Sequence, residues 1–216
     1  MYILENTSLI RIPKSGGTAT LINEAGATVY SATALGTTAY WTESAHGVVV
    51  KSAPLLGGPV SLVGKFRSSS NPIATIGVTT STVFLGGRGS PLYWAPMSGG
   101  SLKAVNAVGT GGTYAFLTSD TDAVYFAEGS ASNLRIASNG TTTPLGPTVS
   151  SSYIVFDDTY AYWADMTSGG SIMKAPKAGG GTPAVLASDT SPTAIAVDAR
   201  SVYWSDMAGY IKSVPK

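Results

Sequence analysis

The chain has 216 residues, of which 12% are charged, and its 13 basic residues nearly balance 12 acidic residues. This balance argues against a nucleic-acid partner, whose surface requires a clustered excess of Lys and Arg. Because there is no cysteine, a disulfide framework, a thiolate nucleophile and a thiolate metal site are excluded.

The composition indicates short strands joined by tight turns. The chain contains 26 Gly and 12 Pro, together with many Thr, Val and Tyr residues. No apolar run approaches the length of a membrane span, so no membrane span is expected. We therefore predict an all-β protein, with residues 1–216 forming one domain around a large core.

A strand-like phrase ending in proline recurs at intervals of about 40 residues, or about 80 where one repeat lacks the proline. The prolines are Pro13, Pro54, Pro96, Pro176 and Pro215. This period is typical of propeller blades. The repeat units are predicted at about 1–24, 29–64, 73–106, 113–146, 152–187 and 193–216.

Each unit contains up to four strands, which we name A to D in chain order. Strand B carries aromatic residues, as in Val202 to Trp204, which suit a strand buried on both faces. Strands C and D are joined by paired glycines or Asn-Gly, which supply the positive φ of a tight turn. These pairs are Gly16 and Gly17, Gly57 and Gly58, Gly99 and Gly100, Asn139 and Gly140, and Gly179 and Gly180.

The combination of AVD at Ala196 to Asp198 with VYWSD at Val202 to Asp206 resembles the YWTD and NHL families of six-bladed β-propellers. A repeat pattern over essentially the whole chain carries the resemblance, which is weakest at Val83 to Pro91. It implies a β-propeller of four-stranded antiparallel blades. The chain opens with strands B, C and D and closes with A, B and C, so we favour six blade positions with incomplete first and last blades. Five blades are the alternative.

Acidic residues follow strand B in five units, and each precedes a basic residue on strand C. The acids are Glu5, Glu43, Glu128, Asp165 and Asp206, and the bases are Arg11, Lys51, Arg135, Lys174 and Lys212. A ring of carboxylates could bind a cation, but cross-strand charge pairs explain this pattern better. Asp120, Asp157 and Asp198 end strand A, where turn capping is expected. We therefore predict no metal site and no cofactor.

The third unit departs from the repeat. Its B to C loop contains Arg88 among glycines, and Tyr93 and Trp94 stand on strand C where other units carry Arg or Lys. A planar cation beside aromatic rings can bind a carboxylate or line a sugar site, so these residues are a candidate ligand-binding site. His46, the only histidine, is a further candidate. No catalytic residue can be assigned.

Three functions remain open from the sequence. The first is a non-enzymatic propeller scaffold that binds a protein, peptide or glycan through its loop face. The second is a propeller hydrolase or lyase similar to the gluconolactonase and streptogramin-lyase groups. The third is a structural repeat segment of a longer protein. Because Met1 begins directly on a strand, we expect that upstream sequence was removed, and an extracellular or periplasmic location follows if it was a leader.

Overall fold

The computed structural model describes residues 2–5, 8–13, 15–24, 27–44, 47–66, 73–87, 92–98, 101–105, 114–128, 132–137, 142–148, 154–166, 169–189 and 191–216. These residues form strands, turns and irregular segments and contain no helix, which confirms the all-β prediction. Accordingly, no helix long and apolar enough to cross a membrane occurs in this part of the chain.

The described strands form six antiparallel sheets, each built from consecutive strands. Sheet 1 contains β1 (Tyr2–Glu5), β2 (Ser8–Arg11) and β3 (Thr20–Glu24). Sheet 2 contains β4 (Val29–Leu35), β5 (Thr38–Ser44), β6 (Val48–Pro54) and β7 (Ser61–Phe66). Sheet 3 contains β8 (Ile73–Val78), β9 (Thr82–Gly87), β10 (Tyr93–Pro96) and β11 (Lys103–Ala104).

The second half of the chain continues the pattern. Sheet 4 contains β12 (Tyr114–Ser119), β13 (Ala123–Glu128), β14 (Ser132–Ala137) and β15 (Thr142–Thr148). Sheet 5 contains β16 (Ile154–Phe156), β17 (Tyr160–Asp165), β18 (Ser171–Pro176) and β19 (Ala184–Ser188). Sheet 6 contains β20 (Pro192–Val197), β21 (Ser201–Asp206) and β22 (Ile211–Pro215). The three-stranded first and last sheets follow from the B, C, D start and the A, B, C end of the sequence.

The chain divides into two compact units. Unit 1 comprises residues 1–111 and 119–123, and unit 2 comprises residues 112–118 and 124–216. Within unit 1, Trp41 of β5 is fully buried against Leu9, Ile22 and Val29 from sheets 1 and 2. A second core in this unit joins sheets 2 and 3 through aliphatic residues such as Val50 and Leu85.

The core of unit 2 joins sheets 5 and 6. Tyr162, Ala164 and Ile172 of sheet 5 pack with Val202 and Trp204 of sheet 6. Two-residue alternation in β21 turns Val202 and Trp204 toward this core and leaves Tyr203 on the opposite, exposed face. Burying large aromatic and aliphatic side chains in this way supplies the main driving force for the packing of adjacent sheets.

The turns between strands C and D follow the predicted glycine chemistry. The N–H of Gly16, Gly57 and Gly179 each donates to the carbonyl of the proline three residues earlier. Both glycines of each of these pairs have positive φ, between 76° at Gly180 and 147° at Gly58. Gly99, Gly100, Asn139 and Gly140 lie outside the described residues.

Candidate functional site

The three predicted capping aspartates all hold turns between strands A and B. Oδ1 of Asp157 accepts hydrogen bonds of 2.8 Å from the backbone N–H groups of Thr159 and Tyr160. Asp198 accepts in the same way from Arg200 and Ser201, at 2.7 and 2.8 Å. Asp120 repeats the arrangement in sheet 4. Turn capping is thus confirmed, since the carboxylates replace the backbone acceptors that a turn lacks.

In two of these turns, a tyrosine of strand B donates a further hydrogen bond to the capping aspartate. The hydroxyl of Tyr162 donates to Oδ2 of Asp157 at 2.9 Å, and that of Tyr203 donates to Oδ2 of Asp198 at 3.0 Å. In both cases the tyrosine follows the aspartate by five residues. Each carboxylate is thus held at both oxygens. Oδ1 accepts hydrogen bonds from the N–H groups of its own turn, and Oδ2 accepts one from the tyrosine of strand B.

Lys216 joins the two turns. Its Nζ lies 2.6 Å from Oδ2 of Asp157, so a side chain from the end of sheet 6 reaches the turn of sheet 5. The backbone N–H of Lys216 donates to the carbonyl of Arg200, as that of Lys177 donates to Thr159 in sheet 5. Sequence reasoning did not single out Lys216, although a lysine also follows the corresponding proline at Lys177.

These residues surround a cleft of about 470 Å³ within unit 2. We name it the turn cleft and define it by the residues from the two A to B turns together with Lys216. Its lining consists of Phe156, Asp157, Asp158, Thr159, Val197, Asp198, Ala199 and Lys216. With three carboxylates and one ammonium group, the turn cleft carries a net negative charge at neutral pH.

Hydrogen bonding keeps two of these carboxylates ionised. Partial burial acts to raise the pKa of Asp157, but hydrogen bonds from Lys216, the turn N–H groups and Tyr162 together hold that pKa well below its usual range. The backbone N–H groups of Arg200 and Ser201, followed by the Tyr203 hydroxyl, lower the pKa of Asp198. Burial and the bond to Asp157 raise the pKa of Tyr162. A carboxyl group with a depressed pKa is a weak base and cannot donate a proton at neutral pH.

The predicted acid–base pairs between strands B and C are confirmed at two positions. Nζ of Lys51 lies 2.6 Å from Oε2 of Glu43, whose other oxygen accepts a 2.7 Å hydrogen bond from the indole of Trp41. Nζ of Lys212 lies 2.9 Å from Oδ2 of Asp206. Lys212 also contacts Asp189, and these two carboxylates, with Asp189 the stronger influence, raise its pKa. The side chains of Glu5, Glu128 and Arg135 lie outside the described residues.

These ion pairs hold the carboxylates of Glu43 and Asp206 in place. Among the described residues, no three or more His, Cys, Asp or Glu side chains form a cluster that could hold a metal ion. The Asp206 carboxylate, for example, also accepts a 2.9 Å hydrogen bond from the N–H of Tyr210. Lys212 and then this backbone bond lower the pKa of Asp206. Its role is to close the turn between strands B and C of sheet 6.

The candidate ligand site of the third unit is described in part. Tyr93 and Trp94 are half-buried on β10, and Nζ of Lys103 lies 5.1 Å from the centroid of the Trp94 ring. Tyr93 stands opposite Leu85, whereas the corresponding strands place Lys51 opposite Trp41 and Lys212 opposite Trp204. An aromatic ring therefore occupies the position of a base. Arg88 and His46 lie outside the described residues.

Comparison with known proteins identifies the fold. No protein-family model matches the sequence, and neither does any curated protein. Among solved structures, 99% of this chain aligns with 88% of a chain in a nidogen/laminin complex, with a TM-score of 0.64 and 14% identity. The computationally designed Ika8 protein aligns with 100% of this chain over 82% of its own length, with a TM-score of 0.62 and 10% identity. The fold is propeller-like. At such low identity, the similarity concerns the fold and not the activity.

Proposed function

We propose that this protein is a non-enzymatic propeller scaffold that binds a protein, peptide or glycan through the loops at the ends of its sheets. The turn cleft is the observation that carries this proposal. It is open, it is framed by two rigid turns, and its carboxylates can accept hydrogen bonds from a ligand without further ordering of the chain.

The state of the carboxylates favours binding over acid–base catalysis. Asp157 already accepts bonds from two backbone groups, a tyrosine and a lysine, and its pKa is far from the range that suits a proton-transfer group. Asp198 is held by its turn and by Tyr203 in the same way, and with the exposed Asp158 it adds negative charge to the turn cleft. Such groups recognise ammonium, guanidinium or hydroxyl donors. A chain of similar fold occurs in a complex of nidogen with laminin, which favours a protein ligand.

Binding arrays test this function. Labelled protein is applied to a glycan array and to an array of peptides that include cationic sequences. We expect defined ligands whose affinity falls at least tenfold in the double variant Asp158→Asn and Asp198→Asn. The control is Asp122→Asn, which removes an exposed carboxylate from the turn of sheet 4, outside the turn cleft. Equal loss in the control would indicate a general charge effect, and arrays without any ligand would contradict the scaffold proposal.

The third unit provides a second proposed ligand surface, formed by Arg88, Tyr93 and Trp94, with His46 as a further candidate. The proposal rests on the replacement of the strand C base by Tyr93 and on the half-buried Trp94 ring beside Lys103. Arg88→Ala should reduce the binding of an array ligand and leave the free energy of unfolding unchanged. Lys65→Ala, which removes an exposed cation from sheet 2, is the control. Full binding by Arg88→Ala would exclude Arg88 from the site.

A further inference from the structure

The two turns that frame the turn cleft hold their aspartates with the same hydrogen bonds. In each turn, Oδ1 accepts from two backbone N–H groups, at 2.8 Å for both bonds to Asp157 and at 2.7 and 2.8 Å for those to Asp198. Oδ2 accepts from the tyrosine of strand B, at 2.9 Å in sheet 5 and at 3.0 Å in sheet 6. The two carboxylates can therefore be compared atom by atom.

The two turns differ at one acceptor position. Oδ2 of Asp157 also accepts from Nζ of Lys216 at 2.6 Å, so an ammonium group and the Tyr162 hydroxyl share this oxygen. Among the described residues, the Tyr203 hydroxyl is the one donor to Oδ2 of Asp198. Since a carboxylate oxygen has two acceptor directions, one direction at this oxygen remains available to a ligand.

A single available acceptor favours one type of donor. An arginine guanidinium binds a carboxylate most strongly when it forks onto both oxygens. Oδ1 of Asp198 already accepts from the N–H groups of Arg200 and Ser201, so a forked contact would compete with the turn. A lysine ammonium is a compact charge that can donate to one oxygen, and its charge makes that bond stronger than one from a sugar hydroxyl. The position therefore suits a lysine.

The rest of the turn cleft suits the aliphatic part of a lysine side chain. Phe156, Val197 and Ala199 supply apolar surface, and the exposed Asp158 adds negative charge. The side chain of Arg200 is exposed and is not part of the lining, so its charge does not fill the cleft. Lysine buries its methylene groups along apolar surface while its ammonium group reaches a polar partner. A cleft of about 470 Å³ has room for such a side chain.

We propose that the turn cleft binds a lysine side chain of a partner protein, whose ammonium group takes at Oδ2 of Asp198 the position that Lys216 takes at Oδ2 of Asp157. Because the turn cleft is also the proposed ligand site, this inference rests on the proposed function. Acetylation of the partner's lysine removes the charge and would abolish recognition.

Titration with small lysine derivatives tests the proposal before a partner is identified. The probe is lysine with an acetylated α-amino group and a methylamide at its carboxyl end, added at low ionic strength to limit screening. The amide NMR signals of Arg200 and Ser201 report on Asp198, to which both N–H groups bond. The probe should shift these signals. The same compound with an acetylated ε-amino group should bind at least about tenfold more weakly, and the matching arginine derivative should also bind more weakly.

Two variants test the assigned atoms. Asp198→Asn keeps an oxygen for the turn N–H groups but removes the charge, so it should weaken binding of the probe at least about tenfold. Asp122→Asn, in the turn of sheet 4, is the control and should bind normally. Lys216→Met vacates the equivalent position at Asp157. In this variant the probe should occupy a second site and should also shift the amide signals of Thr159 and Tyr160, which bond to Asp157.

The outcomes distinguish this inference from the proposed function. Absence of shifts with the probe, equal binding of the acetylated or the arginine derivative, normal binding by Asp198→Asn, or no second site in Lys216→Met would overturn the assignment of lysine. Each of these results would leave the scaffold function in place if the arrays identify ligands of another kind. Arrays without any ligand would contradict the scaffold function itself. The titration of the unmodified chain decides the question even if a variant unfolds.

Discussion

Sheets 5 and 6 repeat one sequence pattern but bury it to different extents. Each has an aspartate at the end of strand A, followed five and six residues later by tyrosine and tryptophan. In sheet 5, Tyr162 and Trp163 are fully buried. In sheet 6, Tyr203 is 36% exposed and Trp204 is 6% exposed. The turn geometry is shared, since both tyrosines bond to their aspartates. The pattern therefore determines the local structure, and the neighbouring sheets determine how deeply it is buried.

The indole groups of the two sheets also differ. Nε1 of Trp204 donates to Oδ2 of Asp189, which Lys212 also contacts. Nε1 of Trp163 is buried and has no hydrogen-bond partner among the described residues. The strand C lysine stands two residues before the proline in sheet 5 and three residues before it in sheet 6, so Met173 rather than a lysine stands opposite Trp163. The position of one lysine along the strand thus decides the cross-strand neighbour of an otherwise equivalent tryptophan.

The largest expected effect is the loss of the buried indole in sheet 5. Trp163→Ala should lower the free energy of unfolding by about 3–5 kcal/mol, because a fully buried ring is replaced by a cavity. Val185→Ala is the control, since that side chain is 59% exposed on β19. Urea denaturation measures both. A change of less than about 1 kcal/mol for Trp163→Ala would contradict the packing of sheet 5.

The next prediction compares equivalent turn glycines with the same φ of 86°, Gly170 in sheet 5 and Gly209 in sheet 6. A Cβ on Gly170 would collide with the backbone carbonyl of Asp189, whereas a Cβ on Gly209 would meet open space. Gly209→Ala should cost about 1–2 kcal/mol for the left-handed conformation alone. Gly170→Ala should cost about 1–3 kcal/mol more, because the backbone must also shift. Equal melting curves for the two variants would show that the backbone carbonyl of Asp189 can move away from the added Cβ at little cost in free energy.

Much of this fold was predictable because its signals are local. Paired glycines, the prolines that end strand C and the aromatic residues of strand B each act within a few residues, so the sequence revealed the strand order and the capping role of Asp157 and Asp198. The turn cleft was not predicted. It depends on Lys216 reaching the turn of another sheet, 59 residues away in the chain. Such a contact follows from the packing of two sheets and has no local signal.

The third prediction isolates the indole hydrogen bond. Trp204→Phe and Trp163→Phe remove similar volumes from similar positions, but the first also removes the donor to Asp189. Trp204→Phe should therefore be more destabilising by about 1.5–3 kcal/mol, the range for a hydrogen bond to a charged group. Chemical denaturation of the two variants gives the difference. A larger loss for Trp163→Phe would imply that Nε1 of Trp163 has an acceptor that the described residues do not provide.

The smallest expected effect concerns the charged bonds beneath the turn cleft. Asp157→Asn keeps an acceptor for the turn N–H groups but deprives the Tyr162 hydroxyl and Lys216 of a carboxylate, at a cost of about 1–2 kcal/mol near neutral pH. Asp198→Asn should cost less, because the Asp198 turn and Tyr203 are exposed.

Acid titration distinguishes the loss of these bonds from a packing defect. The pKa of Asp157 is lower in the folded chain than the value of about 4 expected when unfolded, so its stabilising contribution is fully present above pH 4 and is lost as the pH falls toward the folded-state pKa. The unmodified protein should therefore lose stability below pH 4 more steeply than Asp157→Asn, and the two free energies of unfolding should converge. If the difference between them stayed constant from pH 7 to about pH 2, the carboxylate charge would not be its source, and the substitution would act through packing alone.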